Sequence, residues 1–328
     1  MMKTEKIIGK IIIFAVVLLM SGCEGMTGLK TPISERYEGT QGVMYSYIEN
    51  MPPEDKAYEQ SIFKTGITIE NKGANTAKGF LSIGYEPTLI ELKGIELTNL
   101  ETGEAVKGTD QISFELLGKG ERAAGSNGQK ARLVMDLSAS SISLSQEQKT
   151  KLDVNLCYQT KTTFIRSTCI DPDIYSESKR EKACKPQDIT DSNGQGAPIS
   201  ITKIETRMIP EENDLIRPSF TIYVNNEEKG IIINKNSVEQ ACKETAIGSE
   251  NFGVINLKAS LDGQPVECIL AESGTYKYRQ DEYENKLQCR ASQTYNKDDS
   301  ASLKELKIEM EYGYQETKSK MLTILKNT

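Results

Sequence analysis

Past residue 42 the apolar positions recur at every second residue. Phe63, Ile67 and Ile69 lead into the turn Asn71-Lys-Gly-Ala. Phe80 to Ile83 with Tyr85, then Ile95 and Leu97, then Ile112, Phe114 and Leu116, continue the alternation. Arg132 to Leu137 and Leu152 to Leu156 complete a first set of short strands. A second set begins after residue 195, at Ile199–Ile204, Phe220–Asn225, Ile231–Ile233, Val254–Leu257, Val266–Leu270 and Lys286–Arg290. It ends on the long run Leu306, Ile308, Met310, Tyr312, Tyr314 and the apolar stretch Met321–Leu325. Turn signals every 8–12 residues or so between period-two runs are the pattern of an all-β sandwich. Helical periodicity is thin. Ser145–Lys149 and Tyr175–Ala183 are the two places where a turn of helix is expected.

The first residues follow another rule. Lys3, Lys6 and Lys10 precede the unbroken apolar run Ile11–Met20, then Ser21-Gly22 and Cys23. Ten apolar residues are too few to span a bilayer and fit a secretory signal. Leu19-Met-Ser-Gly-Cys23 resembles a lipoprotein signal, in which Cys23 is lipidated and residues 1–22 are removed. An uncleaved anchor from about Ile7 to Gly22, or a plainly cleaved signal, are the other readings. Residues 23–42, rich in Gly, Ser, Thr and charge, read as a tether.

Composition narrows the chemistry. The 328 residues contain no His and no Trp, which excludes Ser-His-Asp triads, Cys-His dyads and HExxH zinc sites. Forty Lys and Arg against 47 Asp and Glu give a net charge of −7, the wrong sign for a nucleic-acid surface. No cofactor is implied.

Beyond Cys23 there are Cys157, Cys169, Cys184, Cys242, Cys268 and Cys289, an even number that reads as a disulfide framework in an exported chain. Cys268 and Cys289 sit in strand-like runs, VECIL and KLQCRA, on either side of a polar loop, and are expected to pair. One of Cys157, Cys169 and Cys184 is expected to pair with Cys242. No CxxC spacing supports a metal site, and a catalytic thiol lacks its base.

A faint repeat suggests duplication. Ile67-x-Ile69-x-Asn71 followed by a turn matches Ile222-x-Val224-x-Asn226 followed by Glu-Glu-Lys-Gly. The resulting division is a domain at 43–170, a Cys-bracketed connector at 171–194 and a second domain at 195–328. The ENKGA turn at Glu70–Ala74 resembles the strand-turn-strand of CARDB-type and other Ig-like modules. Cys157-Tyr158, Thr168–Pro172, Gly194–Pro198 and Tyr312-Gly-Tyr314 are similar to stretches of uncharacterised archaeal cell-surface proteins. The resemblance implies two tandem Ig-like β-sandwich domains in the cell envelope, and it brings no catalytic residues.

Two weak sites come from the residues themselves. Asp171, Asp173, Asp188, Asp191 and Asn193 supply oxygens of the kind calcium prefers, although turn formation explains the same residues. Tyr276, Tyr278, Tyr283 and Tyr295 could form a recognition surface or cover the sandwich edge. Tyr312 and Tyr314 are in phase with core positions. The glycines at 118–128 do not spell a phosphate loop. The expectation is a non-enzymatic, lipid-anchored envelope protein, structural or adhesive, whose partner is another envelope or surface component. The alternatives are a carboxylate-dependent hydrolase of envelope polysaccharide and a solute-binding lipoprotein. The latter is disfavoured by the lack of βαβ patterning.

Overall fold

The computed structural model describes residues 37–327 except 124, 144, 176–180, 244–246 and 270–273. The expected signal at 1–22, Cys23, most of the tether, and the centre of the turn expected at Tyr175–Ala183 lie outside these residues.

Strands are numbered here in chain order. Alternation builds the first sheet. In β8 (Lys130–Ala139) Ala131, Leu133, Met135, Leu137 and Ala139 are buried on one face. It lies between β3 (Ile62–Asn71) and β5 (Ile90–Asn99), with β1 (Val43–Tyr47) beyond β3 and β6 (Ala105–Gly108) beyond β5. All four pairings are antiparallel.

The second sheet has 14 strands. Its backbone is the antiparallel pair β9 (Glu147–Ile170) and β19 (Ser302–Leu325), 24 residues each and in register from Ile170↔Ser302 to Glu147↔Leu325. The two halves expected from the sequence share this ladder. On one side of it lie β4 (Ala77–Tyr85) and β7 (Gln111–Leu116). On the other side the order is β14 (Val254–Leu261), β15 (Gln264–Cys268), β17 (Asn285–Ala291), β12 (Leu215–Asn226), β11 (Ile199–Pro210) and β10 (Ile189–Thr190). Short strands complete it. β2 (Lys56–Tyr58) is parallel to the end of β19, β13 (Ile231–Ile233) pairs with its middle, β16 (Thr275–Lys277) joins β14, and β18 (Tyr295–Asn296) joins β12.

Face-to-face packing builds one continuous apolar core through both halves. In the first half β1 lies across the ladder. Tyr45 Oη is within hydrogen-bonding reach of the Val154 and Glu316 carbonyls at 2.9 and 3.3 Å, and Tyr47 Oη of those of Leu152 and Lys318 at 2.9 and 3.2 Å. In the second half the sheet coils until β11 faces the far end of β9. Thr162 Oγ1 donates to the Ile199 carbonyl at 2.7 Å, and the Ile199 N–H donates to Tyr312 Oη at 3.1 Å. Tyr312 and Tyr314 are buried, as their phase predicts. The architecture is the all-β sandwich fold expected. The repeated turn is also real in detail: the Asn71 amide donates to the carbonyl of Asn75, and the Asn226 amide to that of Gly230, each at 2.9 Å and four residues on.

Two local readings change. Of the turn of helix expected at Ser145–Lys149, Glu147–Lys149 is strand, because the β19 partner extends the ladder past the apolar core of β9. The one α-helix among the described residues, α1 (Val238–Cys242), was not read from the sequence. Its signal is short, with Val238, Ala241 and Cys242 buried at i, i+3 and i+4.

Candidate functional site

The residues singled out in the sequence do not converge. Asp171 accepts from Lys182 Nζ at 2.7 Å, and its other oxygen takes the N–H of Asp173 in a turn. Asp191 pairs with Arg166 at 2.6 Å and takes the N–H of Asn193. Asp188 meets Arg207 at 2.9 Å. These carboxylates are thus neutralised separately by cations and shape turns. Among the described residues no group of three or more acidic, Cys or His side chains is gathered to hold a metal. The structure does not bring the five residues expected for calcium together at one point.

The tyrosines separate as well. Tyr276 is buried in β16 with its hydroxyl towards Asn285. Tyr278 packs on the core and accepts from the Asn226 N–H, and Tyr295 packs on the core from β18. Only Tyr283 of the four is fully exposed. Tyr276, Tyr278 and Tyr295 thus pack on the core, and the four do not share one exposed face.

Cys268 and Cys289 face one another across β15 and β17 and are disulfide-bonded, as expected. Cys169 at the end of β9 is bonded to Cys184 in the connector. Cys242 therefore has neither of these as a partner, and it and Cys157 are buried free thiols. Replacing Cys289 with alanine and Cys268 with serine should cost about 3 kcal/mol by the loop-closure argument. Urea unfolding of the oxidised proteins checks it.

The feature that sequence reasoning missed is a groove of about 560 Å³ at the open side of the first half. β6 and β7 are the last strands of the two sheets on this side, and neither has a second strand partner among the described residues. The chain passes from one sheet to the other through Thr109-Asp110, and Gly108 is needed there because a Cβ would meet the Gln111 carbonyl at 2.6 Å. Leu97 and Val106 line one wall, and Phe80, Phe114 and Leu116 the other. Val106, Leu100 and Leu117 leave apolar surface exposed at or near its rim. Lys78 pairs with Glu115 at 3.0 Å on the outer face of β4 and β7. Unpaired strand edges beside apolar side-chain pockets are the setting for strand addition by an extended peptide.

A pair of acids of unlike character does exist elsewhere. Burial, with the Glu316 carboxylate adding to it, raises Glu228 from 4.5 to about 7, and its carboxylate takes the Gly42 N–H. Neither acid lines the groove or the smaller cavity beside Arg166 and Glu305. The pair bears on stability instead. A carboxyl whose folded pKa lies above its unfolded value gives stability that is complete below about 4.5 and lost as pH rises through about 7. Glu228→Gln keeps an acceptor for Gly42 and should be more stable than the parent at pH 8. Because the carboxyl is only partly buried and solvent screens it, the gain should be about 1–2 kcal/mol, vanishing towards pH 4.5. Denaturant midpoints across that range measure it.

No protein-family model matches the chain, and no curated protein matches it. Among solved structures it is similar to the CupB6 tip adhesin from Pseudomonas aeruginosa, at 8% identity over 88% of this chain and 99% of that one. The TM-score is 0.18, too low for the likeness to bear on function.

Proposed function

We propose that this chain is a non-enzymatic cell-envelope protein, exported and held by lipid at Cys23, that takes an extended segment of an envelope partner into the groove between β6 and β7. The observation that carries this reading is the apolar groove flanked by two unpaired strand edges. A partner strand there would satisfy edge N–H and C=O groups and cover the exposed Val106 with a side chain of its own. The two disulfides support an address outside the reducing cytosol. The chemistry of the groove supports binding over catalysis. Its acids, Glu104 and Glu115, are exposed, and Glu115 is tied to Lys78.

A photo-activated cross-linking residue placed at Ser113, which is exposed on β7, tests the reading in native envelopes. It is expected to trap one defined protein partner, whereas the same residue at Tyr283 does not. Adding Val106→Glu, a charge at an exposed groove position, should abolish the product while far-UV circular dichroism is unchanged. Equal products from both positions, or none from Ser113, would refute the groove as the binding site.

A further inference from the structure

Cys157 and Cys242 come from distant parts of the chain and meet beneath helix α1. Cys157 lies opposite Phe80 in the β4–β9 pairing. Cys242, the last residue of α1, is held over the same two strands. Its Sγ donates to the Phe80 carbonyl at 3.2 Å and is 3.5 Å from that of Asn155, while its own carbonyl takes the Ser82 hydroxyl. The two thiols share a hydrogen bond. Both are fully buried, among Ile233, Val238 and Ala241.

The geometry points to Cys157 and Cys242 as the two ends of a third disulfide, formed as the exported chain folds, that staples helix α1 to strand β9. It rests on the export part of the functional reading, since it needs an oxidising compartment. In the step, each thiol loses a proton and the pair loses two electrons as the sulfur–sulfur bond forms. A disulfide oxidant, either a small molecule or a thiol oxidoreductase, takes up both protons and both electrons and leaves as two thiols. Exchange needs a thiolate with access to the oxidant. The hydrogen bond that the Cys157 thiol gives to Cys242, together with burial, pushes that thiol far up, so the closed dithiol is a poor nucleophile. Oxidation therefore belongs to the stage before α1 closes over the sheet, and the folded protein keeps whichever state it closed with.

The consequence is mechanical. The turn that carries α1 follows β13, which pairs with β19, while Cys157 belongs to β9 next to β4. A bond between them fastens an element of the second half to the sheet that carries β4 and β7, the strands of the groove wall.

The test uses the full chain from the membranes that carry it, denatured in guanidinium with an alkylating reagent and no reductant, then digested and weighed. Of the six cysteines after Cys23, none is expected to be alkylated, and a peptide pair joining Cys157 to Cys242 should appear two hydrogens lighter than its parts. The Cys157→Ala variant should expose one alkylatable thiol, Cys242. Alkylation of Cys157 and Cys242 alone in the parent would overturn the inference and leave export standing. Alkylation of all six would overturn both. Linkage of either residue to another cysteine, or a Cys242 still blocked in Cys157→Ala, would overturn the pairing.

Discussion

Ending the chain at Gly313 should abolish folding of the entire body, not of its last strand alone. The truncation removes the register from Tyr314↔Tyr158 to Leu325↔Glu147 and the parallel contact with β2. It also takes away the Glu316 and Lys318 carbonyls that Tyr45 and Tyr47 approach, the hydroxyl that receives the Gly230 N–H, and the buried Leu322 and Ile324. Each loss alone is of the order of 1–3 kcal/mol, and together they exceed the roughly 5–15 kcal/mol by which a domain is stable. The expected readout is a chain without a cooperative urea transition. A truncated protein that keeps a sigmoidal transition would show that the first half stands without its β19 neighbour.

Tyr312→Ala should be the most damaging single change, at about 4 kcal/mol or more. The ring is wholly buried, and aromatic-to-alanine changes in cores cost about 3–5 kcal/mol. Its hydroxyl adds to this, because it receives the Ile199 N–H at 3.1 Å and lies 3.1 Å from Thr162 Oγ1. Tyr312→Phe isolates that part. It keeps the ring, leaves a buried donor without its acceptor, and should cost about 1–3 kcal/mol. A Tyr312→Phe protein as stable as the parent would mean that the contact between β9 and β11 does not depend on this hydroxyl.

Much of the fold was legible because burial on one face of a strand imposes a period of two, and Leu306 to Tyr314 or Arg132 to Leu137 show it without interruption. The Cys268–Cys289 bridge was legible for the same reason, since each cysteine sits in phase within a strand. What was not legible depends on partners. Ser145–Lys149 is polar and looked like a turn of helix, yet from Glu147 on it is held in a strand by backbone bonds to the end of β19, which leave no mark on side-chain pattern. Asp171 and Asp191 looked like ion ligands because a sequence does not display Lys182 and Arg166 beside them. The groove was invisible because it arises where β6 and β7 end their sheets, and strand order is a property of the assembled sheet. Helix α1 could have been suspected from the i, i+3, i+4 spacing of Val238, Ala241 and Cys242, but five residues are too few to stand out.

The functional reading depends first on where the chain resides. The intact mass of the protein extracted from native membranes tests this most directly. The account predicts a chain beginning at Cys23 and carrying the added mass of lipid. A mass that retains residues 1–22, or an unlipidated chain recovered from the cytosol, would contradict it, and the groove would then need a partner of another kind.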